Sequence, residues 1–551
     1  MDITLVTEGT YPHSYGGVSV WCDQLVRGMP EHTFRVRALT TTGTEPVVWD
    51  LPEHVSSEPI PMWGPPNGRP SARGRHASPD GRRRPGGGWP SSLVRLPSAR
   101  RGRHASPGGR QVSRSDARRF ERLCRGFLHA ILTPAAPVSG QSASSRHVPV
   151  SGGGTTAHTP RNGQEAEVFQ RILRGLFEYG QTADLSAALR TEAPVRWLMD
   201  AWNARAAEFD ELGMRPTVHD ALTAIDLLEH LLRPLQGPPP RADLTHAVSN
   251  GIPILPGLAA KWTYGTPLCL TEHGIYLRER YIGMRRTPYA WPVKAVLLGF
   301  IRLLCCVGYR TADLLTPCNL YNQRWEARCG ADAGSMETVY NGVDPARFPA
   351  AGAEPAAPTI SWAGRIDPIK DLETLIRAFA LVKEEIPDAR LRLFGGTPTG
   401  CERYHARCEA LAADLGVAGQ TTFEGRIDDV HDAYAAGTVV ALSSISEGFP
   451  YTLIEAMTCG RVTVATDVGG VREAVADTGI VVPPRSPREM ADACLRLLGD
   501  EVSRRRLGHA ARDRALELFT VDRAVDTFRG IYSDLTTPGA QRRPASEARP
   551  A

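Results

Sequence analysis

Hydrophobic and polar positions change period repeatedly along this 551-residue chain, and the changes mark out its elements. Residues 2–7 read as a strand. A loop from Glu8 to Tyr15 follows, holding Gly9 and Pro12 and running into Gly16-Gly17. Val18, Cys22, Leu25, Val26 and Met29 then recur at helical spacing. The chain therefore opens as strand, glycine-rich loop and helix, the first unit of a doubly wound sheet. From 165 to 235 the pattern is helical, with Leu173, Leu176, Leu198, Trp202, Ile225 and Leu228 among its apolar positions, and Pro238-Pro239-Pro240 closes the block. Strands resume at 244–248 and 267–271, a helix covers 291–309, and a strand lies near 313–316. Residues 345–358 are rich in Pro and Ala and read as a linker. A second series puts strands near 359–364, 390–395, 421–424, 439–443, 462–466 and 480–482, separated by amphipathic helices, which is the spacing of a parallel sheet. A last helix spans 520–535, and 536–551 reads as a polar tail. The expected class is α/β: two doubly wound domains, 1–344 and 359–519, facing each other across a cleft.

Charge changes this picture in one place. Between Arg69 and Arg125 sixteen arginines stand against three acids, an excess of thirteen positive charges in a chain whose net charge is +4, so the remainder carries −9. The segment contains an imperfect repeat, Pro70–Arg82 and again Pro97–Arg110, dominated by Gly, Pro, Ser and Arg. Such composition buries too little apolar surface to fold, so 64–115 reads as a disordered insertion, and the Ser/Gly-rich 139–163 as another. Its charge suits a nucleic-acid or anionic-membrane tether, but with Trp89 and Phe120 its only aromatic residues it lacks interleaved stacking platforms, and a duplicated, disordered insertion is the favoured reading. Eleven cysteines, an odd number without a C-x-x-C pair, point to reduced thiols and a cytoplasmic setting. The N-terminus has neither the basic nor the long apolar region of a signal peptide. The apolar run Ala295–Gly308, broken by Arg302, is short for a membrane span.

Two stretches carry chemistry. Ser446-Glu447-Gly448-Phe449-Pro450-Tyr451 follows the strand near 439–443 and opens a helix containing Glu455. A strand, a glycine turn and a helix start form a ligand site at the carboxyl edge of a parallel sheet. The free N–H groups of the helix start suit a phosphate. An ionised Glu455 can accept from a vicinal diol. Gly364-Arg365-Ile366-Asp367-Pro368-Ile369-Lys370-Asp371 likewise ends a strand; its two cations suit a diphosphate, and Asp371 is placed to cap the next helix. Phosphate plus diol implies a sugar nucleotide. Gly16 and Gly17 let backbone approach a ligand closely, and His273 ends the strand at 267–271. His246, Trp262 and Tyr276 are candidates to line an acceptor cleft, with core packing the favoured reading of each. No D-x-D sequence is present to hold Mg²⁺.

Gly364-Arg365 through Lys370, followed by Glu447-x7-Glu455, resembles the retaining glycosyltransferases of family four, which have the GT-B fold of two Rossmann-like domains. The opening Glu8-Gly9-Thr10-Tyr11-Pro12 with Gly16-Gly17-Val18-Ser19-x-Trp21, and Leu270–Arg280 around His273, resemble the PelF-like enzymes of exopolysaccharide synthesis. The resemblance implies a hexosyltransferase using a nucleotide sugar, UDP-linked as the family's donors are expected to be, with no metal or other cofactor. It implies that Arg365 and Lys370 neutralise the donor diphosphate and that Glu455 holds the ribose. Glu447 would lie by the sugar with the N–H groups of Gly448 and Phe449, Gly17 by the phosphates, His273 by the anomeric carbon, and the backbone near Glu424-Gly425-Arg426 by the base. Implied partners are a glycan acceptor and membrane proteins of an export assembly, with the chain cytoplasmic or peripheral to the inner membrane face. A glycogen-synthase-like enzyme, a sugar-nucleotide epimerase and a basic nucleic-acid-binding protein stay open as alternatives.

Overall fold

The computed structural model describes residues 1–63, 113–133, 160–211 and 213–537. The repeat of the basic segment, most of the 139–163 stretch and nearly all of the tail lie outside these residues. The chain forms two parallel sheets. The first contains β1 (Asp2–Glu8), β2 (Thr33–Thr40), β3 (Val55–Ser57), β4 (Ile60–Pro61), β5 (Leu244–Ala247), β6 (Leu268–Glu272) and β7 (Leu314–Pro317). Its order is β3-β2-β1-β5-β6-β7, with β4 also pairing β2. The second contains β8 (Thr359–Ala363), β9 (Arg390–Phe394), β10 (Thr421–Gly425), β11 (Val439–Leu442), β12 (Thr463–Thr466) and β13 (Ile480–Val482), in the order β10-β9-β8-β11-β12-β13.

Near-continuous Val, Ile, Leu and Ala runs make these strands. β5, β6, β7, β8, β11 and β12 are buried along their whole length, as expected for strands covered on both faces. In each sheet the order reverses once, between β1 and β5 and between β8 and β11. Ligands of doubly wound sheets bind at the carboxyl end of such switch points. The loops carrying Gly16-Gly17, Arg365–Lys370 and Glu447 leave those strands.

Two features depart from the sequence reading, and a third adds to it. Part of the basic segment folds: Arg114–Leu132 is a helix capped by Ser113, whose side chain accepts from Asp116 N–H. Phe120, Cys124, Phe127, Leu128 and Ile131 form a buried stripe on it, enough apolar surface to order arginines that point to solvent. Helix Pro160–Thr182 likewise starts inside the stretch assigned to the second linker. Finally, helix Val521–Thr536, which follows the second domain, buries Val525, Phe528, Ile531 and Tyr532 in the core of the first, beside Ile3, Leu5, Trp21 and Phe34. The long apolar helix Trp291–Thr311 has length and composition enough to cross a membrane, yet 67% of its apolar window is buried in the first domain.

Candidate active site

The two loops at the second sheet's switch point are tied together. Ile445 N–H donates to Ile369 O at 2.9 Å, and Ser443 Oγ to Lys370 O at 2.7 Å. This brings Lys370 Nζ to 2.6 Å from Glu447 Oε1, with both side chains mostly buried. Pro368–Lys370 forms a 3₁₀ turn, and Asp371, held at φ 48°, caps the following helix through its contact with Thr374 N–H. Arg365 is exposed at the mouth of the same loop. At the end of β9, Gly395 has φ +142°, and a Cβ there would stand 1.7 Å from Gly364 O. That contact holds the Arg365 loop against its neighbour.

Glu455 lies on the helix Tyr451–Thr458 that leaves the Glu447 loop. Its Oε2 accepts from Tyr434 Oη at 2.5 Å. Burial raises its carboxyl pKa, while the Tyr434 hydrogen bond and Arg347 pull the other way. Glu447, Gly448 and Phe449 donate no backbone N–H hydrogen bond among the described residues, so three loop donors just ahead of the helix that starts at Tyr451 stand ready for an anion. The Phe449 ring itself is core, stacked on Tyr340 with centroids 5.3 Å apart. Glu424, at the end of β10, gives its carboxylate to Arg392 at 2.7 Å.

The first domain closes directly onto these loops. A Cβ on Gly448 would stand 1.9 Å from His273 O, and one on Gly17 would touch the Tyr451 ring at 3.6 Å. Gly16, extended at φ 168°, has nothing within 4 Å of where its Cβ would be. Arg278 Nη1 donates to Ser446 Oγ at 2.9 Å, Tyr451 Oη to Gln24 Oε1 at 3.3 Å, and Asn341 Nδ2 to Phe449 O at 3.2 Å. His273 packs edge-on against Trp21, with centroids 4.8 Å apart, and its Nε2 is buried without a hydrogen-bond partner. Burial pushes its imidazole pKa down to about 4, with Asn341 opposing, so the ring is neutral at physiological pH. At the cleft mouth burial, Asp367 and Glu402 raise the Cys401 thiol pKa, while Arg365 from one domain and Arg286 from the other oppose them.

The structure thus gathers Arg365, Lys370, Glu447, Gly448, Phe449 and Glu455 at one sheet edge, and brings Gly17 and His273 against it. His246, Trp262 and Tyr276 are packing residues. His246 bonds Tyr532 Oη at 2.6 Å and Thr271 Oγ1 at 2.7 Å, Trp262 packs on Phe177, and Tyr276 is 3% exposed. Sequence reading missed Asn341, Tyr434, Arg278 and Ser446, which orient the site across long chain separations. Only Asn341, in an Asn-Gly dipeptide, carried a local turn signal. Next to His273 in the chain, Glu272 accepts from Tyr309 Oη at 2.5 Å; burial raises the pKa of the Glu272 and Glu326 carboxyls, and the charge of Glu272 raises that of Glu326 further. A further carboxylate–histidine group, Asp226, Glu229 and His230, sits in the helical insertion, where Arg233 and Arg190 occupy Glu229.

A family model described as Domain of unknown function (DUF3492) matches residues 1–84 and 132–334, more than half of the chain. The chain belongs to the DUF3492 family. The second domain of this DUF3492 protein matches Glycosyl transferases group 1 over residues 357–500. A D-inositol 3-phosphate glycosyltransferase of Salinispora arenicola is 30% identical over 305 residues, covering 50% of this chain and 66% of its own. That of Nocardia farcinica is 36% identical over 195 residues, 32% of this chain and 43% of its own. The chain spans less than half the length of the first curated relatives it matches. Sucrose-phosphate synthase of Thermosynechococcus elongatus superposes with TM-score 0.56 over 97% of this chain and 99% of its own, at 17% identity. The fold is therefore GT-B, the two-domain architecture of glycosyltransferases.

Proposed function

We propose that this protein is a retaining, metal-independent glycosyltransferase that moves a hexose from a nucleotide sugar, UDP-linked by family resemblance, to a glycan acceptor in exopolysaccharide synthesis, in the manner of PelF-like enzymes. One observation carries the reading. Lys370 and Glu447 are in contact at the switch point of the second sheet, beside a helix start with free N–H groups and directly under His273.

Cleaving the anomeric C–O bond builds negative charge on the departing diphosphate and positive charge on the sugar. Arg365, Lys370 and the N–H groups of Glu447, Gly448 and Phe449 would stabilise the first, and loss of one such donor typically costs about 10²–10³ in rate. Glu455 would accept from the ribose diol with the oxygen that Tyr434 leaves available. Glu447, paired with Lys370, would bind the sugar rather than attack it, and attack by the acceptor would come from the face the leaving group departs. Gly16 and Gly17 would admit the phosphates, and neutral His273 would offer Nε2 to the sugar near its reacting carbon. The Glycosyl transferases group 1 match and the named relatives support sugar transfer in general; the motif resemblance supports the polysaccharide acceptor.

The deciding experiment incubates the full chain with a panel of nucleotide sugars, with and without oligosaccharide acceptors, in EDTA. Acceptor-dependent release of nucleoside diphosphate with retained anomeric configuration is expected. Interconversion of sugars without an acceptor would replace the reading with an epimerase, and complete inhibition by EDTA would restore a metal.

A further inference from the structure

Helix Tyr276–Met284 and the long helix Trp291–Thr311 form a hairpin on the first domain whose tip is apolar, aromatic and basic together. Tyr281 is 57% exposed and Ile282 and Trp291 are each 44% exposed, at a place where three large apolar side chains meet water within eleven residues of chain. Between Tyr276 and Lys294 five cations face one acid, Glu279. Arg280 is engaged by Glu8 at 2.8 Å and Arg278 by Ser446, whereas Arg285, Arg286 and Lys294 have no ion pair among the described residues. Core packing does not explain this tip, because its inward residues, Met284, Pro292 and Val293, are already buried. Exposed Trp and Tyr flanked by arginine and lysine are the composition of a surface that settles at the headgroup level of a bilayer.

We propose that this hairpin tip docks the protein on an anionic lipid surface, with Tyr281, Ile282 and Trp291 entering the headgroup–acyl boundary and Arg285, Arg286 and Lys294 facing the phosphates. The occupant follows from charge complementarity: each cation near an anionic leaflet favours binding by on the order of fivefold. A soluble glycan would use the aromatic faces but would leave Ile282 and the three cations without a role. The tip lies beside the cleft, since Arg278 of the same hairpin bonds Ser446 and Arg286 acts on Cys401. A protein docked this way would hold its cleft at the membrane, where a growing polymer can be handed on.

The test is co-flotation of the full chain with vesicles of phosphatidylcholine containing phosphatidylglycerol, and with phosphatidylcholine alone. Working at 0.3 M salt screens long-range attraction by the arginine-rich segment, because a Debye length of about 10 Å at 0.1 M shrinks further there, while cations in contact with lipid phosphates are screened much less. Binding to the anionic vesicles is expected. It should fall at least tenfold in Tyr281→Ser/Ile282→Ser/Trp291→Ser, fall with Arg285→Ala/Arg286→Ala/Lys294→Ala, and rise in Ile282→Trp, a variant that cannot gain affinity by misfolding if its melting temperature is unchanged. Equal flotation of parent and serine variant, no flotation of the parent, or displacement of the parent by a soluble oligosaccharide would each overturn the proposal.

Discussion

Gly448→Ala tests the site with one methyl group. Gly448 does not need glycine for its backbone, since its φ is not positive; the cost lies in the contact. The added Cβ would stand 1.9 Å from His273 O, where ordinary contact begins at about 3.4 Å, so the two loops must part by about 1.5 Å. The Glu447–Phe449 loop has no room to retreat. Gly469 is packed so closely behind it that a Cβ there would reach 2.0 Å from Glu447 O, and Gly470 N–H donates to Gly448 O at 2.8 Å. The displacement therefore falls on His273 and on the closure of the cleft. Overpacking of this size costs about 1–3 kcal/mol of stability. A misplacement of about 1 Å at a reacting centre can cost 10² in rate, or about 2.7 kcal/mol of transition-state stabilisation. Steady-state release of nucleoside diphosphate should show kcat/KM down about 100-fold. Gly16→Ala, with open space around it and an extended backbone, should melt with the parent. A Gly448→Ala protein with the parent's kcat/KM and melting temperature would refute the closed geometry and the role given to His273.

Lys370→Met should weaken binding of a nucleoside diphosphate at least tenfold in calorimetry, whereas Arg505→Met, an exposed cation on the same domain, should leave it unchanged; equal effects would remove Lys370 from the donor site. Phe528→Ala should cost about 3–5 kcal/mol and should loosen the first domain, so amide exchange should quicken in β1 and β5 before β8; the reverse order would contradict the packing of the last helix. His246 is held down to about 3, by burial first and by His273 second. Its unfolded form takes a proton below about pH 6.5 that the folded form refuses. Stability from this group is therefore present above that pH and lost as pH falls. Against His246→Gln, the parent should lose about 1.4 kcal/mol per pH unit between pH 6.5 and 4.5 in urea titrations. The difference is the right quantity because the raised Glu272 and Glu326 carboxyls act with the opposite sign. Parallel curves would show that His246 is charged in the folded protein.

The strands were legible because a parallel sheet writes itself as short apolar runs. Thr359–Ala363 and Val439–Leu442 are buried along their whole length, and no other element type fits Val439-Val440-Ala441-Leu442 between two turns. Lys370 and Glu447 were readable as partners because each follows a strand, and adjacent strands at a switch point put such residues together. Charge count misled at Arg114–Leu132. There a 3.6-residue stripe through Phe120, Cys124, Phe127 and Ile131 outweighs the composition around it, and averaging over the whole basic segment hid the period. The partners that orient the site were not legible for another reason. Tyr434 meets Glu455, Asn341 meets Phe449 and Arg278 meets Ser446 across separations of 21, 108 and 168 residues, and no local pattern encodes a single hydrogen bond at that range.

The crossing between domains explains why those long-range partners sit where they do. The chain passes from the first domain to the second after Val343 and returns at Thr520, and the two passages are paired: Val343 N–H donates to Phe519 O at 2.8 Å and Val521 N–H to Val343 O at 3.0 Å. Gly342 makes this possible, since a Cβ there would lie 2.3 Å from Thr520 O. Relative motion of the domains must bend at this pair, because the helix beyond it is anchored in the first domain by Phe528 and Tyr532. Asn341 stands two residues from the crossing and donates from Nδ2 to the Phe449 carbonyl at 3.2 Å. A rotation that opens the cleft therefore pulls on the bond that ties the first domain to the Glu447–Phe449 loop. Closing the cleft at this pair would bring together groups that have no partner among the described residues, His273 Nε2 on one side and the N–H groups of the Glu447 loop on the other.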